Sequence, residues 1–152
     1  MFVLIIILYR AVRYYADRTE EEIDKVKKGL EFYDILVHWI EQKQNKKNLA
    51  EYFIQNRYQT VAVYGMKEIG RLLVNELLQE GVDVRYAADR SADVIDMDEM
   101  SIDIPIIKPS SEMPEVDVIV VTASHYFDCI YLDLKELTKA EIVPVEDILW
   151  GI

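Results

Sequence analysis

From residue 60 onward, short apolar runs alternate with stretches in which apolar residues recur at helical spacing. Runs of β-branched and apolar residues that stop at glycine, aspartate or polar positions are typical of strands. Spacings of three and four residues between the runs are typical of amphipathic helices. The predicted strands are Thr60–Tyr64, Val82–Ala88, Ile104–Ile107, Val116–Thr122 and Ile142–Val145.

Strands that alternate with helices predict a parallel sheet with right-handed crossovers. The Val116–Thr122 run is almost entirely apolar, which favours a central strand buried on both faces. The run Ile104–Ile107 contains a proline and is typical of an edge strand. We therefore predict an α/β, Rossmann-like parallel sheet of about five strands in the order 3-2-1-4-5.

A helical arm precedes this domain. Thr19 followed three residues later by Glu22 has the pattern of a capping box, which predicts that a helix begins there. The polar stretch Gln42–Lys47 predicts its end, and Asn48 with Glu51 predicts a second short helix. We accordingly divide the chain into an arm, residues 1–48, and a Rossmann-like domain, residues 49–152. The apolar stripe of the arm comprises Ile23, Val26, Leu30, Tyr33, Val37 and Ile40.

This stripe is too apolar and too wide to remain in water, so the arm is expected to pack against something. One possibility is that it covers its own domain. The other is a homodimer in which Thr19–Gln44 supplies much of the interface. From Thr19 onward the stripe is shorter than the three to four heptads that indicate a coiled coil.

The chain opens with an apolar run, Phe2–Leu8. It is far shorter than the ~20 residues that span a bilayer, and it lacks the flanks of a signal peptide. Shallow membrane contact, supported by Arg10 and Arg13, is one interpretation of this run. We favour the other, a buried first helix or strand, and expect the protein to be cytoplasmic.

Charge and cysteine content exclude several classes of function. The 152 residues carry 17 Lys and Arg against 28 Asp and Glu, a net charge of −11. Residues 49–152 carry 8 against 20, a net charge of −12, so the acidity belongs to the predicted domain. Such a domain repels phosphate backbones, and we expect no nucleic-acid partner. One cysteine, Cys129, and two histidines leave no disulfide framework and little for a metal site.

A glycine turn follows the first predicted strand and opens a helix. Gly65, Met66, Lys67 and Gly70 match a dinucleotide fingerprint whose middle glycine is replaced by lysine. Asp89 ends the second strand, where an acidic residue binds ribose hydroxyls in such domains. These residues are the first half of a predicted cofactor site, although the two glycines could serve the fold alone.

The second half of the predicted site follows the central strand at Thr122, Ala123, Ser124 and His125. Open α/β sheets bind ligands at the carboxyl ends of their strands, where the strand order reverses. We predict that Ser124 is the N-cap of the next helix and that His125 lies in its first turn, with a purely structural histidine as the alternative. We identify no catalytic residues and no metal ligands.

Three segments, Phe32–Ile40, Ala62–Gly70 and Val121–Asp128, resemble an uncharacterised bacterial family found among capsule and surface-polysaccharide genes, alone or fused to glycosyltransferases. The Gly65 turn and Asp89 more distantly resemble nucleotide-sugar domains of bacterial sugar acyltransferases. The resemblance implies a Rossmann-like domain behind a helical arm. Our first hypothesis is a module that binds a nucleotide, NAD(P) or a nucleotide-sugar and serves surface-polysaccharide synthesis. The alternative is a non-catalytic protein whose arm binds a glycosyltransferase or itself; an enzyme in its own right is the third possibility.

Overall fold

The chain forms a five-stranded parallel sheet in the order β3-β2-β1-β4-β5, as a computed structural model shows. The structure describes residues 2–95 and 102–152, with side chains from residue 6 onward. The sequence-based fold class and strand order are confirmed. The strands are β1 Thr60–Tyr64, β2 Asp83–Ala88, β3 Ile106–Ile107, β4 Val118–Val121 and β5 Glu141–Pro144. The helices are α1 Phe2–Gln44, α2 Ala50–Gln55, α3 Glu68–Gln79, α4 Phe127–Lys135 and α5 Val145–Trp150.

The sheet is buried on both faces, and alternate residues of each strand point to opposite sides. All four residues of β4 are buried, as expected of a central parallel strand. Helix α4 packs on one face through Ile130 and Leu134, which join a cluster that includes Tyr64 and Tyr86. Helix α3 contacts β1 and β2 and buries a stripe that includes Leu73 and Leu77.

Helix α1 is one continuous helix of 43 residues, and the prediction that it begins at Thr19 is wrong. The Thr19 hydroxyl instead donates to the carbonyl oxygen of Tyr15, one turn earlier, at 2.8 Å. A Thr-x-x-Glu pattern can therefore lie within a helix, because the hydroxyl bonds back to the preceding turn as readily as it caps a new one. The predicted end in the polar stretch after Gln42 is confirmed, since α1 ends at Gln44.

The apolar N-terminal run is helical, but the burial that we expected is not found for its described side chains. Ile6, Ile7 and Leu8 are each more than half exposed. In the part of the chain that the structure describes, no helix is long and apolar enough to cross a membrane.

The chain divides into two compact units, Met1–Val37 and His38–Ile152. The division falls inside α1, whereas the sequence places the boundary after residue 48. In the second unit, the indole Nε1 of Trp39 donates to Glu76 Oε2 on α3 at 3.0 Å. Lys43 also pairs with Glu76, at 2.9 Å. The last turns of α1 therefore pack against α3 and belong to the sheet unit.

Helix α5 is held against the same end of α1. The backbone carbonyl of Leu149 faces His38 Nε2 and accepts from Gln42 Nε2, each at 3.1 Å. The His38 ring stacks on Trp150 with ring centroids 4.4 Å apart. These contacts satisfy a C-terminal carbonyl of α5 that has no partner within its own helix.

Asp117 ties the amino ends of β1 and β4 together. Its Oδ2 accepts from the backbone N–H groups of Gln59 and Thr60, at 2.7 and 2.8 Å, and from the Thr60 hydroxyl at 3.1 Å. The backbone hydrogen bonds from Thr60 and Gln59 lower the pKa of Asp117 below its ordinary value of 3.8. The charged form is the one that these donors stabilise.

The sign of the resulting pH dependence follows from this lowered pKa. Stability from Asp117 is fully present above its unfolded-state pKa and is lost as the pH falls through the lower folded-state value. At about pH 7 we expect Asp117→Asn to unfold at a lower urea concentration than the parent protein. At about pH 3 the difference between the two urea midpoints should be smaller. Urea denaturation of both proteins at the two pH values measures these midpoints. An equal difference at both pH values would contradict the stabilising role of the Asp117 charge.

Tyr86 lies fully buried in the sheet, and its hydroxyl has no hydrogen-bond partner among the described residues. Burial raises the pKa of this phenol. An unpaired buried hydroxyl costs stability, because folding removes its water without replacing it.

We therefore expect Tyr86→Phe to increase the free energy of unfolding by about 1 kcal/mol. Urea denaturation measures this change. Tyr64→Phe is the matched control, because Tyr64 lies in the same cluster and its hydroxyl interacts with the Arg90 guanidinium. Destabilisation by Tyr86→Phe would show that the hydroxyl is satisfied.

Candidate functional site

The carboxyl edge of the sheet is organised around Gly65. Its N–H donates to the carbonyl of Ala88 at the end of β2, at 2.8 Å. Its φ is +94°, and an added Cβ would lie 2.8 Å from Thr122 Oγ1. Only glycine adopts this backbone conformation readily and leaves room for Thr122.

Gly70 allows the first turn of α3 to approach the end of β1. A Cβ on Gly70 would lie 1.8 Å from the backbone oxygen of Gly65, a distance that no side chain can tolerate. Between them, Met66 is buried, and Lys67 is the exposed N-cap residue of α3. The turn thus has the close strand-to-helix packing of the fingerprint, with a lysine at the middle position.

Asp89 lies directly against this turn. Its Oδ2 accepts from the backbone N–H of Met66, and its Oδ1 accepts from the backbone N–H of Ser91, both at 2.8 Å. Two bonds in different directions fix the orientation of the half-buried carboxylate. The structure therefore brings Asp89 against the glycine turn, whereas ribose binding stays a prediction.

Thr122 joins the end of β4 to the same turn. Its hydroxyl lies 2.7 Å from the carbonyl oxygen of Gly65, to which it donates. Its N–H donates to the carbonyl oxygen of Tyr64 at 2.9 Å. Thr122 and Ala123, both half-buried, thus adjoin Gly65, as the sequence predicted from the strand order.

Ser124 and His125 are arranged differently from the prediction. They belong to a short 3₁₀ turn, Ser124–Tyr126, and α4 begins only at Phe127 with Tyr126 as its N-cap. The Ser124 hydroxyl donates to Glu146 Oε2 at 2.8 Å rather than capping a helix. The predicted N-cap is therefore wrong, because a carboxylate from the first turn of α5 competes for the hydroxyl.

His125 is half-buried in that turn, and its ring meets the ring of Tyr126 edge-on at 5.2 Å. It lies before α4 and not in the first turn of that helix. Glu146 was not predicted as a site residue. The sequence could have indicated it, because Glu146 lies two residues after β5 and the carboxyl end of β5 is at the same edge of the sheet.

An open cleft of about 560 Å³ lies where β1 ends at Tyr64, and its lining includes none of the predicted site residues. Two of its lining residues are chain neighbours of the predicted site: Tyr64 precedes Gly65, and Arg90 follows Asp89. The cleft combines aromatic, charged and aliphatic side chains. It is lined by Tyr64, Arg90, Lys108, Pro109, Leu132, Asp133, Leu134, Glu136 and Leu137. None of these residues was predicted from the sequence as part of a site.

Ion pairs border the cleft. Arg90 pairs with Asp133 on α4, and Lys108 pairs with Asp93. Burial raises the pKa of Tyr64, and the nearby Arg90 guanidinium opposes part of that rise. The Tyr64 phenol therefore remains protonated at neutral pH and can donate a hydrogen bond.

Among residues 2–95 and 102–152, no three metal-ligating side chains cluster together. When the chain was compared with family models, curated proteins and solved structures, none matched.

Two helical glycines, Gly70 in the first turn of α3 and Gly29 within α1, provide a matched test of the close packing at the turn. Gly70→Ala should destabilise the fold by about 3 kcal/mol, because its Cβ would overlap the Gly65 carbonyl. Gly29→Ala in α1 meets nothing within 4 Å and should stabilise its helix by about 1 kcal/mol. Thermal unfolding of both variants measures the contrast; a tolerated Gly70→Ala would show that α3 can shift away from β1.

Proposed function

We propose that this protein is a small module that binds a nucleotide, dinucleotide or nucleotide-sugar at the carboxyl edge of its sheet. The observation that carries the proposal is the position of Asp89. Its carboxylate lies hydrogen-bonded to the glycine turn, 2.8 Å from the Met66 nitrogen. That turn lies where β1 and β4 adjoin in the order 3-2-1-4-5, the point at which the crossovers reverse direction.

The chemistry of Asp89 favours a ligand that presents hydroxyl groups. A carboxylate is an acceptor with about four lone-pair sites, and the two backbone N–H groups use one on each oxygen. The remaining sites suit ribose hydroxyls. The same negative charge disfavours a ribose 2′-phosphate, so NAD or a nucleotide-sugar fits better than NADP.

The phosphates of such a ligand would lie nearer to the start of α3. Helix N-termini attract anions through unpaired N–H groups and the helix dipole. Lys67 is exposed at the N-cap position and adds a positive charge there. Glu68 beside it and Glu146 across the edge oppose a highly charged polyanion, which favours a ligand with few phosphates.

The adjacent cleft supplies room for the rest of the ligand. Its volume of about 560 Å³ lies within the range of small-molecule sites. Arg90 is exposed and offers a planar guanidinium beside Asp89, whereas Tyr64 lines the cleft with a side chain that is largely buried. A nucleobase or sugar placed there would have the guanidinium plane for stacking and its N–H groups as hydrogen-bond donors.

The family resemblance supplies the biological setting that we propose, which is surface-polysaccharide synthesis in the bacterial cytoplasm. A glycosyltransferase is the proposed protein partner in that setting. We assign no reaction to the chain. We give His125 a contact role next to the ligand.

A thermal-shift screen tests the proposal, with NAD, NADP, ADP, UDP-glucose, UDP-N-acetylglucosamine and coenzyme A as the probes. At a ligand concentration 100 times Kd, binding adds about 2.7 kcal/mol to the free energy of unfolding. For a chain of this size that corresponds to a rise in Tm of roughly 5–10 °C. No shift with any probe would contradict the proposal.

Asp89→Asn is the decisive variant for a probe that binds. It keeps an acceptor for the Met66 N–H but loses the charge, and we expect at least about tenfold weaker binding by isothermal titration calorimetry. Asp83→Asn is the matched control, since Asp83 begins the same strand at the opposite edge and pairs with Arg85. Equal affinity in both variants would place the ligand elsewhere.

A further inference from the structure

The continuity of α1 extends the apolar stripe well beyond the arm that the sequence outlined. Because the helix begins at Phe2 and not at Thr19, residues before Thr19 belong to the same surface. Alternating steps of three and four residues continue without interruption over about four and a half heptads. The positions are Tyr9, Val12, Ala16, Thr19, Ile23, Val26, Leu30, Tyr33, Val37 and Ile40.

Nine of these ten positions are exposed in the single chain, and Val37 is half-buried. Seven of the ten have 50–62% of their surface exposed, namely Tyr9, Val12, Ile23, Val26, Leu30, Tyr33 and Ile40. Thr19 is the one polar residue among them, and its hydroxyl already donates to the Tyr15 carbonyl. Burial of the stripe therefore leaves the Thr19 hydroxyl with a partner.

A 3-4 repeat sustained over more than three to four heptads is typical of a two-stranded coiled coil. We propose that α1 pairs with α1 of a second copy of this chain, in antiparallel orientation and with full overlap. In that register, residue numbers that face each other sum to 49. The layers are Tyr9 with Ile40, Val12 with Val37, Ala16 with Tyr33, Thr19 with Leu30, and Ile23 with Val26.

The side-chain volumes of these layers favour the antiparallel orientation. The smallest core residue, Ala16, faces the large Tyr33, and Thr19 faces Leu30. Facing large with small residues fills a seam evenly. A parallel pair would instead place Ala16 against Ala16 and Tyr33 against Tyr33, which leaves a void in one layer and crowds another.

The charged residues along one flank of the stripe also favour the antiparallel orientation. Arg13, Glu20, Lys27 and Asp34 recur every seven residues, with alternating sign. In an antiparallel pair this flank faces itself, so that Arg13 lies opposite Asp34 of the second copy and Glu20 lies opposite Lys27. Each pair occurs twice by symmetry, and flanking charges of this kind set orientation in coiled coils.

The other flank is mainly apolar in its matched positions. Antiparallel pairing places Tyr15 opposite Leu36 of the second copy and Glu22 opposite Gly29, so that no like charges meet on this flank. Parallel pairing would instead bring the two different flanks together. It would place Glu22 opposite Lys27, which is a favourable ion pair, but it would also place Tyr15 opposite the charged Glu20. Core volumes and both flanks therefore agree on one orientation.

Oligomeric state is the first test, measured by light scattering at micromolar concentration. We expect a mass twice the chain mass of 17.8 kDa. Leu30→Glu places a charge in the seam and should give a monomer. Tyr14→Glu is the matched control, since Tyr14 is an equally exposed α1 residue, at 61%, outside the core positions of the stripe and should leave the dimer intact. A monomeric parent protein would overturn the proposal.

Cross-linking tests the orientation. The native Cys129 is exposed and is first replaced, as Cys129→Ser. Ala16→Cys and Tyr33→Cys are then made separately in this background, and the two proteins are mixed, partially unfolded, refolded and oxidised. We expect disulfides between the two variants and none within either alone. Disulfides within each variant alone would show a parallel pair and overturn the proposal, as would binding of a monomer to phosphatidylglycerol vesicles.

Discussion

The contact between the backbones of Gly65 and Gly70 fixes the distance between the end of β1 and the start of α3. A methyl group on Gly70 would lie 1.8 Å from the Gly65 carbonyl oxygen, so the helix can take this position only because no side chain intervenes. That carbonyl is also the acceptor for the Thr122 hydroxyl at 2.7 Å. The N–H of the next residue, Met66, is the donor to Asp89. The ends of β1, β2 and β4 are therefore joined at one turn, and the proposed ligand site depends on its geometry.

Much of this arrangement could be predicted because it follows from local patterns and chain order. The buried run of β4 and the glycine turn after β1 each have a distinct sequence signal, and right-handed crossovers then determine the strand order. The approach of Asp89 to the turn follows, since parallel strands end at the same edge. The start of α1 could not be predicted, because Thr19 has two satisfactory partners, a following N–H or the preceding carbonyl.

Residues that meet only through the tertiary fold gave no such signal. Lys108 follows an edge strand of two residues, and Leu134 lies on a helix distant in sequence, yet both line the cleft beside Tyr64. Ser124 had the composition of an N-cap, but Glu146 from α5 accepts its hydroxyl. In both cases the residues that meet are far apart along the chain. Their positions depend on the length and path of the crossovers, which the hydrophobic periodicity of the sequence does not reveal.

The period of the α1 stripe has a further physical consequence. A straight α-helix has 3.6 residues per turn, so a strict seven-residue repeat drifts around its axis by about 20° per heptad. Over about four and a half heptads, the stripe of a straight helix turns through roughly 90°. Only a left-handed supercoil keeps such a stripe facing one partner along its whole length. A helix that packed alone on a compact domain would gain nothing from the strict repeat, whereas a second helix of equal length and the same twist would contact every layer of it.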